Sequence, residues 1–224
     1  LDADDVWLPG KLKAQIGYLD QRPELGLVCG GFSFWTADEK GLFPDPCSLH
    51  SPILDTQVEP DYAGWGYHKL LLSNYVWTST VVMRRSLVER IGYYDERLRL
   101  GQDYEYWLRA SRETEIHRLG AVMALYRRHS CSATVRTGGS GHAVAIVEDA
   151  VRRWGLASPN GESIEPRQLA ARIFSMRLRV GYGLYQKGRF AKAKEELREA
   201  SKLRPLNLRV WIYRLLCALR AERD

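Results

Sequence analysis

Leu12, Ile16 and Leu19 recur at helical spacing, with Lys11, Lys13 and Gln15 on the other side, so the pattern predicts an amphipathic helix from Pro9 to about Gln21. Pro9 suits a first helical turn, which has no use for its missing N–H. Leu1 reads as the end of a buried strand, and Asp2 to Asp5 as the turn between strand and helix. The unbroken apolar run from Leu25 to Trp35 predicts a buried strand, and its glycines predict close backbone approach. Residues 37–66 keep neither period and read as a turn and a long loop. Beyond them the pattern predicts a short helix over Tyr67–Ser73, a β-branched strand over Val76–Met83 and a helix over Arg84–Ile91. A further helix opens at Asp103, with Tyr104, Trp107 and Leu108 on one face. Val122–Tyr126 follows as a strand, and a helix runs from about His142 to Trp154.

The turn Ala157-Ser158-Pro159-Asn160-Gly161 marks a boundary, because Pro, Asn and Gly together stop a helix. It separates an α/β domain over residues 1–156 from an all-helical module over 164–224. In the latter, Gly181, Gly188, Phe190, Ala193, Leu197, Ala200 and Pro205 resemble the tetratricopeptide repeat (TPR) in their spacing, with flanking helices at about 167–180 and 207–221. An ordinary helical hairpin is the alternative, and either form suits docking or bracing better than catalysis.

Composition sharpens this division. The net charge of +6 conceals −4 over residues 1–150, which hold 16 basic and 20 acidic side chains, and +10 over 151–224, which hold 17 and 7. The basic module suits an anionic membrane surface or an acidic protein partner, whereas nucleic acid lacks any accompanying motif. No apolar run is long enough to span a bilayer. The four cysteines fit neither a zinc pattern nor a disulfide framework, so a reducing, cytoplasmic location is expected, peripheral at the membrane if the basic helices dock there.

The chemistry centres on Leu1-Asp2-Ala3-Asp4-Asp5-Val6-Trp7-Leu8-Pro9-Gly10-Lys11-Leu12. Closely spaced carboxylates are hard oxygen ligands for a divalent cation that also holds substrate phosphates; an Asp-rich turn capping a helix is the plain alternative. Asp103 is either an N-cap or a general base, and the two roles are compatible. Trp77 is either a core residue or a sugar contact, and His129 either a solvated histidine or a metal ligand.

The acidic segment, Asn74 to Arg85, Gly101-Gln102-Asp103-Tyr104-Glu105-Tyr106-Trp107-Leu108-Arg109 and Tyr126-Arg127-Arg128-His129 together resemble, in order, segments of family 2 glycosyltransferases of the GT-A fold. The resemblance covers roughly residues 1–135, the second half of such a catalytic domain. It implies a partial GT-A, Rossmann-like domain without its N-terminal nucleotide-binding strands, so that the fragment alone is expected to be inactive. It also implies an inverting transfer from a nucleotide sugar, by default a UDP-sugar, to a hydroxyl of a glycan or lipid-linked acceptor. By position, Asp2 and Asp4 would meet the donor, Asp4 and His129 would hold Mn²⁺ or Mg²⁺, Arg128 would meet diphosphate, Trp77 and Gln102 would border the acceptor, and Asp103 would be the base. Many family members have Glu-Asp where this chain has Gln102-Asp103. Two rivals stay open: a non-catalytic interaction protein carrying the repeats on a degenerate transferase-like domain, and a metal-dependent phosphohydrolase.

Overall fold

The computed structural model describes residues 1–49, 53, 57–128 and 142–221. These form two compact units, one from residues 1–128 and 157–163, the other from 142–156 and 164–221. The boundary therefore differs from a cut near 156. Helix 142–154 groups with the helical unit, while segment 157–163 returns to the first. The Arg112 guanidinium donates to the Ala157 carbonyl (2.6 Å), and Ser158 Oγ accepts the His68 N–H (3.0 Å) and bonds to the His68 ring at Nδ1 (2.8 Å), which ties the segment there.

The first unit is mixed α/β. It contains β1 (Val6–Trp7), α1 (Lys11–Asp20), β2 (Leu27–Thr36), α2 (Pro46–Leu49), α3 (Tyr67–Leu72), β3 (Val82–Met83), α4 (Arg85–Ile91), α5 (Gln102–Ala110) and β4 (Ile116–Arg128). The four strands make one sheet in the order β1-β4-β2-β3. β2 and β4 run parallel from the pair Leu27–Ile116 to the pair Thr36–Arg128; β1 is antiparallel to β4, and β3 to β2. The register slips around Gly30 and Gly31, where a Cβ on Gly30 would overlap Met123 and one on Gly31 would sit 3.2 Å from the Ala121 carbonyl oxygen. Leu27, Val28 and Cys29 are fully buried, as the apolar run requires, and burial pushes the Cys29 thiol up to about 12.

Three local readings are corrected. Leu1 is exposed, and the carboxylates of residues 2–5 lead into β1. The segment Val76–Met83 is a strand only at Val82–Met83; Thr78–Thr80 is a turn of 3₁₀ helix whose hydroxyls find partners that a regular ladder would not offer.

The third correction concerns α1, whose buried face keeps Leu19 but is rotated away from Leu12 and Ile16, toward the polar side that its spacing assigns to solvent. Lys11, Gln15, Tyr18 and Leu19 are buried, and Leu12 and Ile16 are exposed. Gln15 supplies the reason for its own burial, since its amide donates to the Thr80 (2.7 Å) and Val28 (3.3 Å) carbonyls and ties α1 to β2 and the 3₁₀ turn. The Lys11 amine lies 4.2 Å from the centre of the Trp7 ring and has no hydrogen-bond partner among the described residues. Burial lowers it from 10.5 to about 8. An amine depressed on folding leaves the unfolded chain holding more protons between about pH 8 and 10.5, so stability rises with pH across that window. Lys11→Met is expected to raise stability by about 2 kcal/mol at neutral pH, after discounting for the ring contact, and to flatten that rise. Urea titrations at several pH values would check both.

The second unit stacks α6 (His142–Trp154), α7 (Pro166–Gln186), α8 (Phe190–Leu203) and α9 (Leu208–Ala221). Pro166 and a reciprocal Glu165–Gln168 capping box start α7. Gly188, at φ 71°, turns the chain from α7 into α8. Gly181 packs beneath Leu197, where an added Cβ would lie 2.8 Å from Cγ, so the small residue sets the close approach of the two helices. Phe174, Ala193, Leu197, Ala200, Val210 and Cys217 form the core. Arg177 of α7 bridges Glu148 of α6 (2.8 Å) and Glu196 of α8 (3.1 Å).

Candidate functional site

The acidic turn lies at the C-terminal ends of the parallel strands β2 and β4, where open α/β sheets commonly place their ligands. β1 fixes it there by pairing Val6 with Leu125 and Trp7 with Ala124. Asp5 is the anchor. It is buried, its Oδ2 accepts the Ser79 hydroxyl (2.5 Å) and its Oδ1 accepts the Arg127 N–H (3.1 Å). Ser79 also accepts the Asp2 N–H (3.1 Å), and its carbonyl accepts the Trp7 indole N–H (2.6 Å). One serine thus joins the acidic turn to the 3₁₀ segment 78–80.

The same segment reaches the other predicted acid. Thr78 Oγ1 donates to Asp103 Oδ2 (3.2 Å), while Asp103 Oδ1 accepts the N–H of Tyr104 (2.8 Å). The N-cap of α5 is Gly101, at φ 78°, which makes no side-chain cap; Asp103 belongs to the first turn, where the helix dipole favours its charge. Tyr104, Trp107 and Leu108 are buried as expected, and the Tyr104 hydroxyl bonds to the Leu70 carbonyl (2.5 Å), which fixes α5 against α3.

Asp2 and Asp103 therefore share one environment. Burial raises the Asp2 carboxyl from its ordinary value, and the charges of Asp5, Asp4 and Asp103 raise it further. Tyr94 is raised by burial and then by Asp103, Tyr106 and Asp2, which places its phenol at the same cluster.

Beside the carboxylates lies an aromatic group. Trp77 stacks on Phe32 (centroids 4.0 Å apart, 20° between planes) and meets Tyr126 edge-on at 4.8 Å. Phe34 touches both Phe32 and Tyr126 and is exposed. One face of Trp77 is thus taken by Phe32, and Phe34 and Tyr126 extend the aromatic surface beyond it. The exposed Arg128 lies 5.1 Å over the Phe34 ring, in this group. Arg127 instead packs on Trp35 (4.4 Å) and Phe43 (4.8 Å). Gln102 is exposed on the first turn of α5. His129 lies outside the described residues.

Sequence reasoning singled out Asp2, Asp4, Trp77 and Asp103 but missed Asp5, Ser79, Tyr94 and the phenylalanines of β2. The run Thr78-Ser79-Thr80 was the available signal, since three successive hydroxyls in a segment read as buried strand need polar partners.

Among the described residues, no three His, Cys, Asp or Glu side chains form a group that could hold a metal ion. The donor chemistry still suits Mg²⁺ or Mn²⁺, which are held through one or two carboxylates together with substrate phosphates. A divalent cation would also relieve the repulsion that raises Asp2.

Comparison with protein-family models finds none that matches the chain, and comparison with curated proteins finds no match. No helix among the described residues is long and apolar enough to cross a membrane.

Proposed function

We propose that the chain carries the acceptor-side half of an inverting, metal-dependent glycosyltransferase that moves a sugar from a nucleotide sugar, by default a UDP-sugar, to a hydroxyl of a glycan or lipid-linked acceptor. The supporting observation is the link made by residues 77–79. Through Thr78 and Ser79 they connect the acidic turn to Asp103, and through Trp77 they set an aromatic surface beside them. The segments that resemble family 2 enzymes in sequence are the ones that meet here.

In this reading Asp103 takes the proton from the acceptor hydroxyl as the new bond to the anomeric carbon forms, and nucleoside diphosphate leaves from the opposite face. Thr78 and the Tyr104 N–H hold the Asp103 carboxylate in one orientation. Asp2 and Asp4 face the donor, Asp5 keeps their turn in place, and Trp77, Tyr126 and Gln102 border the acceptor. Arg128 meets diphosphate. Asp4, with His129, would hold the divalent cation, which when bound supplies positive charge to the departing diphosphate.

Asp4→Ala is expected to weaken Mn²⁺-dependent donor binding at least about tenfold, a loss of about 1.4 kcal/mol. Calorimetry with UDP-sugars, with and without Mn²⁺, on the protein including any residues that precede Leu1 in its gene, checks this. Donor binding that is independent of both Asp4 and metal would count against the reading, and would favour a non-catalytic protein that uses its helical unit for interaction.

A further inference from the structure

The loop that follows α4 is set by side chains of α5. Gly92, at φ 77°, ends α4 and turns the chain into Tyr93 and Tyr94. The Tyr106 hydroxyl donates to the Gly92 carbonyl (2.9 Å), and the Arg109 guanidinium donates to the carbonyls of Ile91 and of Tyr93, the latter at 3.0 Å. Arg109 is itself fixed by both carboxylate oxygens of Glu105 (3.1 and 2.9 Å) and lies 4.9 Å over the Tyr106 ring. The helix that carries Asp103 in its first turn therefore also fixes where this loop runs.

What the loop presents is Tyr94. Its ring packs on Tyr106 with centroids 4.6 Å apart. Tyr106 follows Asp103 by three residues and shares its face of α5, so the contact sets the Tyr94 ring beside the carboxylate. Burial, and then the charges of Asp103, Tyr106 and Asp2, hold the phenol in its protonated form. Its hydroxyl has no hydrogen-bond partner among the described residues. A phenol O–H that stays protonated is a donor, whereas an ionised carboxylate only accepts. The two groups together fit two neighbouring oxygens of one ligand. One hydroxyl gives its proton to Asp103, and the hydroxyl next to it accepts from Tyr94.

We propose that Tyr94 selects the acceptor: its hydroxyl donates to the hydroxyl adjacent to the one that Asp103 deprotonates, so the acceptor is a vicinal diol, as on a sugar ring, and not an isolated alcohol. This rests on the transfer reading above, with Asp103 as base. Tyr94 adds a specificity contact to it.

The test crosses changes in the protein with changes in the acceptor. Parent and Tyr94→Phe, each including any residues that precede Leu1, are assayed with a glycosyl acceptor that the parent uses and with monodeoxy analogues lacking a hydroxyl adjacent to the glycosylated one. Tyr94→Phe keeps the ring that packs on Tyr106, so its denaturation curve should match the parent. Its kcat/KM on the complete acceptor should fall about fivefold, the parent should lose as much on one deoxy analogue, and combining the two changes should cost nothing further. Tyr93→Phe, which alters an exposed neighbouring phenol, should match the parent on every acceptor. Losses that multiply when combined would assign Tyr94 a structural role and overturn the proposal, as would a Tyr94→Phe variant that equals the parent on the complete acceptor. In both cases the transfer reading stands. A parent that transfers sugar to no acceptor overturns the two together.

Discussion

Asp103→Asn is expected to lower turnover at least about a hundredfold and leave donor affinity nearly unchanged, because general-base catalysis contributes on that order and an amide cannot take a proton. The structure makes this substitution informative. Asp103 contributes two hydrogen bonds to the fold, from Thr78 and from the Tyr104 N–H, and the asparagine oxygen can keep one of them. Stability should then fall by no more than about 1 kcal/mol, so lost turnover could not be blamed on unfolding. Steady-state kinetics on the protein including any residues that precede Leu1, with a denaturation curve beside them, give both quantities. A variant that turns over near the parent rate would remove Asp103 from the mechanism.

Asp5→Ala should have the largest effect on stability, a loss of about 3 kcal/mol by urea denaturation. The substitution leaves the Ser79 hydroxyl and the Arg127 N–H without their buried acceptor, and a hydrogen bond to a charged group contributes about 1.5 to 3 kcal/mol. Asp5→Asn keeps one acceptor oxygen and should lose about half as much. The same network holds the Asp2 N–H through Ser79, so Asp5→Ala should also displace the acidic turn and impair donor binding. Asp4→Ala offers the contrast, with impaired donor binding and a smaller loss of stability.

The extent to which these features could be read from sequence depended on what decides each one. Helices with a single apolar face were legible: α5 buries Tyr104, Trp107 and Leu108 as their spacing requires, and the Gly181, Ala193, Leu197 spacing correctly anticipates small residues where α7 and α8 touch. α1 was not, because its burial is decided by polar contacts that periodicity ignores. The Gln15 amide answers carbonyls of Val28 and Thr80, residues distant in sequence, and the Lys11 amine answers an indole four residues back. The 3₁₀ turn at 78–80 was concealed by β-branched composition, which describes fit to a pleated surface and not to a hydroxyl network. Asp2 and Asp103 stood out as acids at element boundaries. Asp5 looked like one more member of its turn, since nothing local separates a buried acid with two partners from the half-buried Asp4 and the exposed Asp2.

The cluster joined by Thr78 and Ser79 is expected to transfer a sugar with Asp103 as base. Proton NMR of a reaction containing an α-linked UDP-sugar donor, Mn²⁺, a panel of glycosyl acceptors and the protein including any residues that precede Leu1 tests this most directly. Release of UDP together with a β-linked product is expected, and neither should appear with Asp103→Asn. Retention of the α configuration, release of inorganic phosphate in place of UDP, or an undiminished product with Asp103→Asn would contradict it.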